Sequence, residues 1–124
     1  MILTIPNHRP VSWNRLYTQR HWSKRKALAD EVHLLTLAAI PPDAVPFDVP
    51  VTVTITAYNR KPLDADNIAL KLYVDGMKGR VLHDDDWRHV VAVLCRTELG
   101  DPHVVIEIQE ANDDLRHDGG MLDG

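Results

Sequence analysis

The chain holds one cysteine, Cys95, among 124 residues, which excludes a disulfide framework and a cysteine-based zinc site and points to a reducing cytoplasm. Cys95 itself reads as a small buried core residue beside the apolar run of residues 89–94. Long hydrophobic runs are missing as well. Met1-Ile2-Leu3-Thr4-Ile5-Pro6 is short and has no charged leader, so neither a signal peptide nor a membrane span is expected. Seven histidines are scattered without zinc-ligand spacing, and only His83, beside Asp84, draws notice. An EF-hand loop starting at Asp64 would need Gly at its sixth place and Glu at its twelfth, where Ala69 and Asp75 stand. No nucleophile motif of the Ser/His/Asp kind is found. Acids are absent from residues 1–29, which carry Arg9, Arg15, Arg20, Lys24, Arg25 and Lys26.

What is present in excess is aspartate in one place. Six lie between Leu63 and Trp87: Asp64 and Asp66, Asp75, and the triplet Asp84-Asp85-Asp86, with Lys71 and Lys78 among them. Carboxylates accept hydrogen bonds but cannot donate, and they repel one another, so crowding them adds little to stability. A divalent cation resolves the conflict. Mg²⁺ takes hard oxygen ligands and is commonly shared between carboxylates, waters and substrate phosphate, so the pattern points to metal-assisted phosphate chemistry. The net charge of −4 argues against a nucleic-acid partner at first sight. However, residues 107–124 hold six acids against Arg116 alone, and the N-terminal basic stretch is left able to meet phosphates.

A hydrophobic content of 44% suits one soluble domain. Ile2 to Ile5 reads as an edge strand, and Pro6 to Trp22 as a loop. Ser23 is the expected N-cap of a helix over 24–40, where Ala27, Leu28, Val32, Leu35, Ala38 and Ala39 recur at spacings of three and four before Pro41-Pro42 ends it. Val51, Val53, Ile55 and Ala57 alternate with Thr52, Thr54, Thr56 and Tyr58, which predicts a strand. A second helix is expected over 67–78, with Asn67, Lys71, Asp75 and Lys78 as one polar stripe on an otherwise apolar cylinder. Val90 to Leu94 and Val104 to Ile108 read as two strands joined by Gly100-Asp101-Pro102. The expected order is β-α-β-α-β-β: an α+β single domain, two helices against a small mixed sheet, over 1–109. Residues 110–124 read as an acidic, disordered tail.

If Asp64 and Asp66 leave the strand on an extended connection, alternation puts both side chains on one side. A helix starting near Asn67 would add its positive end. A carboxylate from Asp84 to Asp86 would complete a Mg²⁺ site. Lys71 could stabilise charge on the phosphate or pair with Asp75 one turn away; for Asp66-Asn67 alone, a helix cap is the competing role. Trp13, Tyr17 and Trp22, interleaved with the basic residues, could stack on unpaired bases, while Trp13 could equally anchor the loop to the core.

Asp64-Ala65-Asp66-Asn67, Lys71, Asp75-Gly76 and the later Asp84-Asp85 resemble, in order and nearly in spacing, the pattern of the RusA-type Holliday junction resolvases. Pro10-Val11-Ser12-Trp13-Asn14-Arg15-Leu16-Tyr17 is similar to that family's Pro-rich, Asn-Arg-Tyr opening, so the resemblance covers nearly the whole folded part. It implies a Mg²⁺-dependent endonuclease, Mn²⁺ able to substitute, that works as a homodimer on four-way or branched DNA in recombination and repair. The setting it implies is the cytoplasm of a bacterial or phage-infected cell. Carried over residue by residue, Asp64, Asp66 and Asp85 bind metal, and Lys71 assists at the phosphate. Asp84 and Asp86 are alternatives at the late position, with Asp75 and Asn67 in support. Asn14, Arg15, Arg20, Lys24, Arg25, Lys26, Arg60 and Lys61 are the expected DNA contacts. Asn67 to Lys71 is one residue longer than the family pattern, which rotates Lys71 by about 100° unless the helix start shifts. The alternative reading is a non-catalytic DNA-structure-binding module on the same fold; a third is an acidic protein that binds a protein partner through its tail.

Overall fold

Alternating valine and threonine commits residues near 50–58 to a strand with one apolar face, and a computed structural model, which describes residues 1–111, places that strand inside a four-stranded sheet. In chain order the elements are β1 (Ile2–Ile5), α1 (Trp13–Tyr17), α2 (Trp22–Ala39), β2 (Val51–Asn59), a 3₁₀ turn (Ala65–Asn67), α3 (Leu70–Met77), β3 (Val90–Leu99) and β4 (His103–Glu110). The strands lie in the order β1-β4-β2-β3, with β4 antiparallel to both β1 and β2, and β2 parallel to β3. The fold is α+β with a mixed sheet. Buried Leu3, Ile5, Val51, Val53, Ile55, Val104, Ile106 and Ile108 alternate along β1, β2 and β4 and share one core with Val32 of α2 and Tyr73 and Met77 of α3. Thr52, Thr54, Thr56, Val105 and Glu107 point to the other, partly exposed side.

Four expectations need correction. The loop expected over 6–22 contains a third helix, α1, because Ser12 Oγ accepts the Arg15 N–H at 2.9 Å and caps it. α2 starts two residues earlier than expected and is capped by His21, not Ser23: the His21 carbonyl accepts the N–H groups of Lys24 and Arg25. The helix expected from Asn67 begins only at Leu70, because residues 65–67 wind as a 3₁₀ turn and the Ala69 N–H is taken by the Val11 carbonyl at 2.9 Å. The turn Gly100-Asp101-Pro102 does not make a hairpin. β2 lies between β3 and β4, so the turn crosses over the end of β2, where the Gly100 N–H donates to the Asn59 carbonyl at 3.1 Å.

Glu110 closes β4, and the Ala111 N–H donates to the Pro50 carbonyl at 2.8 Å; the rest of the expected acidic tail, residues 112–124, lies outside the described residues. Among the described residues, no helix is long and apolar enough to cross a membrane.

α2 and α3 approach most closely at Gly76. A Cβ there would stand 2.7 Å from Thr36 Cβ, a fully buried side chain whose hydroxyl donates to the Val32 carbonyl at 2.8 Å. Neither helix has room to yield without losing core contacts. Gly76→Ala should therefore lower unfolding stability by about 1–3 kcal/mol. Urea denaturation reads this out, and an unchanged midpoint would contradict the close helix approach.

Candidate active site

The strand β2 delivers the chain to Asp64, which is extended at φ −66°, ψ 139°, and caps the 3₁₀ turn that contains Asp66. Simple alternation therefore does not relate the two carboxylates, since Asp66 sits on helical backbone. Both nevertheless line one open cleft of about 350 Å³ with Trp13, Asn14 and Asn67. Asp64 and Asp66 are exposed, and neither has an ion pair or side-chain hydrogen bond among the described residues.

The N-terminal segment holds this loop in place. Ser12 bridges Ile68 in antiparallel fashion, Val11 takes the Ala69 N–H, and the Asn14 N–H donates to Asn67 Oδ1 at 3.3 Å. Asn67 thus leaves the expected polar stripe: its side chain serves α1, not α3. One turn further on, the Tyr73 hydroxyl accepts the Val11 N–H at 3.1 Å and lies 2.8 Å from His8 Nε2. Burial pushes the Tyr73 hydroxyl up to about 12 and lowers His8 below its usual value. Sequence reading missed this pair, since neither residue shows a motif.

The rest of the stripe is a charge cluster. Lys71 Nζ reaches Asp75 Oδ1 at 3.1 Å and Asp85 Oδ2 at 3.2 Å, while Lys78 Nζ reaches the same two carboxylates at 3.4 and 3.2 Å. Hydrogen bonds to Asp75 and Asp85 raise Lys71, and that to Asp85 raises Lys78. For Asp85, partial burial alone would raise the carboxyl, but the hydrogen bonds from Lys71 and Lys78 outweigh it and hold it below the usual carboxylate value. Lys71 is therefore a fixed cation at neutral pH and no base. Of the two readings of Lys71 from sequence, the pair with Asp75 is present, and Lys71 contacts the late acid Asp85 in addition.

Within the triplet the three side chains part company. Asp84 Oδ1 accepts the Asp85 N–H at 2.7 Å; Asp86 Oδ1 accepts the Arg88 N–H at 3.1 Å and lies 2.6 Å from His89 Nδ1, a contact that lowers its carboxyl. Asp85 alone faces the lysines, in a small cavity lined by Lys71, Val74 and Val90. His83 turns away to Asp48, at 3.0 Å. The 3₁₀ turn packs on β3, so both acidic groups sit on the β3 side of the domain. They do not merge: among the described residues no three His, Cys, Asp or Glu side chains form a metal-binding group.

The expected DNA contacts divide. Asn14 lines the acidic cleft, and Arg20 and Lys24 are exposed. Arg15 faces a cavity beside His8. Arg25 Nη1 donates to the Gln19 carbonyl at 3.4 Å, Lys26 pairs with Asp30 at 2.8 Å, and Arg60 pairs with Asp101 at 3.5 Å. Lys61 is exposed near the entry to the acidic loop. Trp13 stacks on Tyr17 with ring centroids 5.9 Å apart, while Trp22 is exposed.

An acidic cleft open to solvent beside a cationic N-terminal segment, with a separate cluster of lysines held in their charged form, defines a small α+β domain with features suited to phosphate-containing ligands. A family model described as Endodeoxyribonuclease RusA matches residues 5–109, and the chain belongs to that family. Comparison with curated proteins finds no match, and comparison with solved structures finds none.

The His8–Tyr73 contact carries a pH signature. A histidine whose folded pKa lies below its usual 6.5 binds its proton more weakly folded than unfolded, so stability is complete above about 6.5 and falls as pH drops from there through the folded value. His8→Gln, which keeps an acceptor toward Tyr73, should flatten that part of the stability profile. Tyr73→Phe should cost about 1–3 kcal/mol at neutral pH by stranding the Val11 N–H and His8 Nε2. Denaturation across pH 5–8 measures both, and a parallel wild-type and His8→Gln profile would contradict the assignment.

Proposed function

We propose that this chain is a Mg²⁺-dependent endonuclease that cuts four-way or branched DNA as a homodimer. The observation that carries the reading is the pair of exposed, unpaired carboxylates of Asp64 and Asp66 opening into one cleft, in a chain of the RusA endodeoxyribonuclease family. Two carboxylates with phosphate and water completing the shell suit Mg²⁺ or Mn²⁺. When bound there, the ion supplies a water of lowered pKa and offsets charge on the phosphate.

The chain's own residues do the rest. Asp64 and Asp66 hold the metal, and Asn67, tied to Asn14, keeps their loop against α1. Lys71 remains protonated and stabilises negative charge that develops on the scissile phosphate. Asp85 would serve as third ligand to the metal only by giving up its hydrogen bonds to Lys71 and Lys78; unliganded, it is the counter-ion that positions Lys71. Asn14, Arg15, Arg20, Lys24, Arg25, Lys26, Arg60 and Lys61 hold backbone phosphates. A homodimer matches the two-fold character of a four-way junction, each subunit cutting one of two opposed strands.

A second reading is a DNA-structure-binding module without turnover. It is favoured by one observation, the engagement of Asp85 with two lysines apart from Asp64 and Asp66.

One assay separates the two. The protein is incubated with a labelled four-way junction, linear duplex and single strands, in Mg²⁺ and in EDTA. Paired, metal-dependent incisions confined to the junction are expected, and Asp66→Asn should abolish them while junction binding persists. Tight binding with no product in any divalent ion would establish the second reading. Lys71→Ala should reduce turnover about 10²- to 10³-fold. Lys71→Ala with Lys78→Ala, which together free Asp85 of both lysines, should tighten Mg²⁺ binding measured by titration, and unaltered metal affinity in that double variant would exclude Asp85 as a ligand.

A further inference from the structure

α1 separates the acidic cleft from a second opening. Asn14 lines the first, and the next residue, Arg15, lines a cavity of about 190 Å³ together with Asn7, His8, Arg9, Leu28, Glu31 and Leu35. Nothing in the cleavage chemistry above uses that cavity. Its volume falls below the roughly 300 Å³ at which pockets for drug-sized ligands begin, so it suits a single ring system.

The donors and acceptors around it are fixed. His8 is only 6% exposed, and its Nε2 lies 2.8 Å from the Tyr73 hydroxyl. Because the Tyr73 oxygen already accepts the Val11 N–H, its own hydrogen is directed to His8 Nε2, and the neutral imidazole then carries its proton on Nδ1. That Nδ1–H has no partner among the described residues and is not sealed away, since the single buried side-chain polar atom without a partner is Thr97 Oγ1. Burial keeps His8 neutral, with Glu31 and Arg15 close enough to act on its charge in opposite senses. Yet Arg15 and Glu31 have no ion-pair partner, in each other or elsewhere among the described residues.

The opening thus presents the guanidinium groups of Arg9 and Arg15, the His8 Nδ1–H, one carboxylate acceptor and an apolar floor of Leu28 and Leu35. A phosphate diester would meet the guanidinium groups but has no donor for the Glu31 carboxylate and no apolar surface for the floor. A planar group with acceptors and a donor along one edge satisfies all of them. We propose that this cavity receives an unpaired nucleobase of the bound DNA, its edge accepting from Arg15 and His8 Nδ1–H and donating to Glu31. A base already unpaired at a branch point is the occupant that costs least to seat, because no stacking or pairing need be broken. The assignment rests on the DNA-cleaving reading, and it moves Arg15 from a phosphate to a base contact while the other expected contacts stay on phosphates.

The test uses the full chain in EDTA, so cleavage does not enter. Anisotropy compares a fluorescent single strand with the same strand made abasic at its central positions, for wild type and Glu31→Ala, whose folding is checked by thermal melting. The base-containing strand should bind about tenfold more tightly than the abasic one, the scale of one hydrogen-bonded base contact, and Glu31→Ala should bring that ratio close to one. Equal binding of the two strands by wild type overturns the proposal and leaves the nuclease reading intact. A ratio that survives in Glu31→Ala assigns the base contact to stacking on the exposed aromatics and overturns it too. If Glu31→Ala binds both strands more tightly with the ratio unchanged, the cavity takes phosphate. Failure of wild type to bind either strand overturns the proposal, and failure to bind a four-way junction as well would sink the DNA reading itself.

Discussion

The geometry of this domain depends on a strap. Residues 8–14 run across the acidic loop and the start of α3, held by the Val11 carbonyl on Ala69, the Ser12–Ile68 bridge, the Asn67 side chain on Asn14, and the Tyr73 hydroxyl between His8 and Val11. Most of these groups are buried, so each would carry a desolvation cost if left unpaired. Together they over-determine a loop whose exposed carboxylates repel one another. Fixing the acids before a ligand arrives lowers the ordering cost that binding must otherwise meet.

The second constraint is electrostatic. Asp75 and Asp85 lie within reach of Lys71 and Lys78, so two acids and two bases form one nearly neutral cluster on the partly exposed side of α3. Exposed pairs of this kind add little to stability, and their value lies in what they position. Lys71 is kept charged and held against Asp75 and Asp85, and Asp85 is held ionised. The cost is that Asp85 is not free. Asp64 and Asp66, by contrast, have no side-chain partner among the described residues.

Much of this was legible from residue order. The Val/Thr alternation gave β2, and the three-and-four spacing followed by Pro41-Pro42 gave α2. Of the aspartates singled out as unusual, Asp64 and Asp66 line one cleft while Asp75 and Asp85 line other openings, and the Lys71–Asp75 pair weighed from their spacing is present. The errors have two causes. α1 rests on a local cap, Ser12 Oγ on the Arg15 N–H, that a reading by periodicity passes over. The late start of α3 depends on a bond between distant segments, the Ala69 N–H to the Val11 carbonyl. Periodicity over a short window carries no information about such bonds. The same holds for the crossing of β2 by the turn at Gly100, because strands adjacent in sequence usually pair and here they do not.

By itself the sequence determined the elements, their apolar faces and the acid-rich motif that marks the family, because those properties are local and set by side-chain chemistry and spacing. Only the tertiary structure decided which carboxylates share an opening, which one is claimed by lysines, and that His8 and Tyr73 meet. Those outcomes come from distant groups competing for the same hydrogen bonds, and burial settles the competition only once the chain has folded.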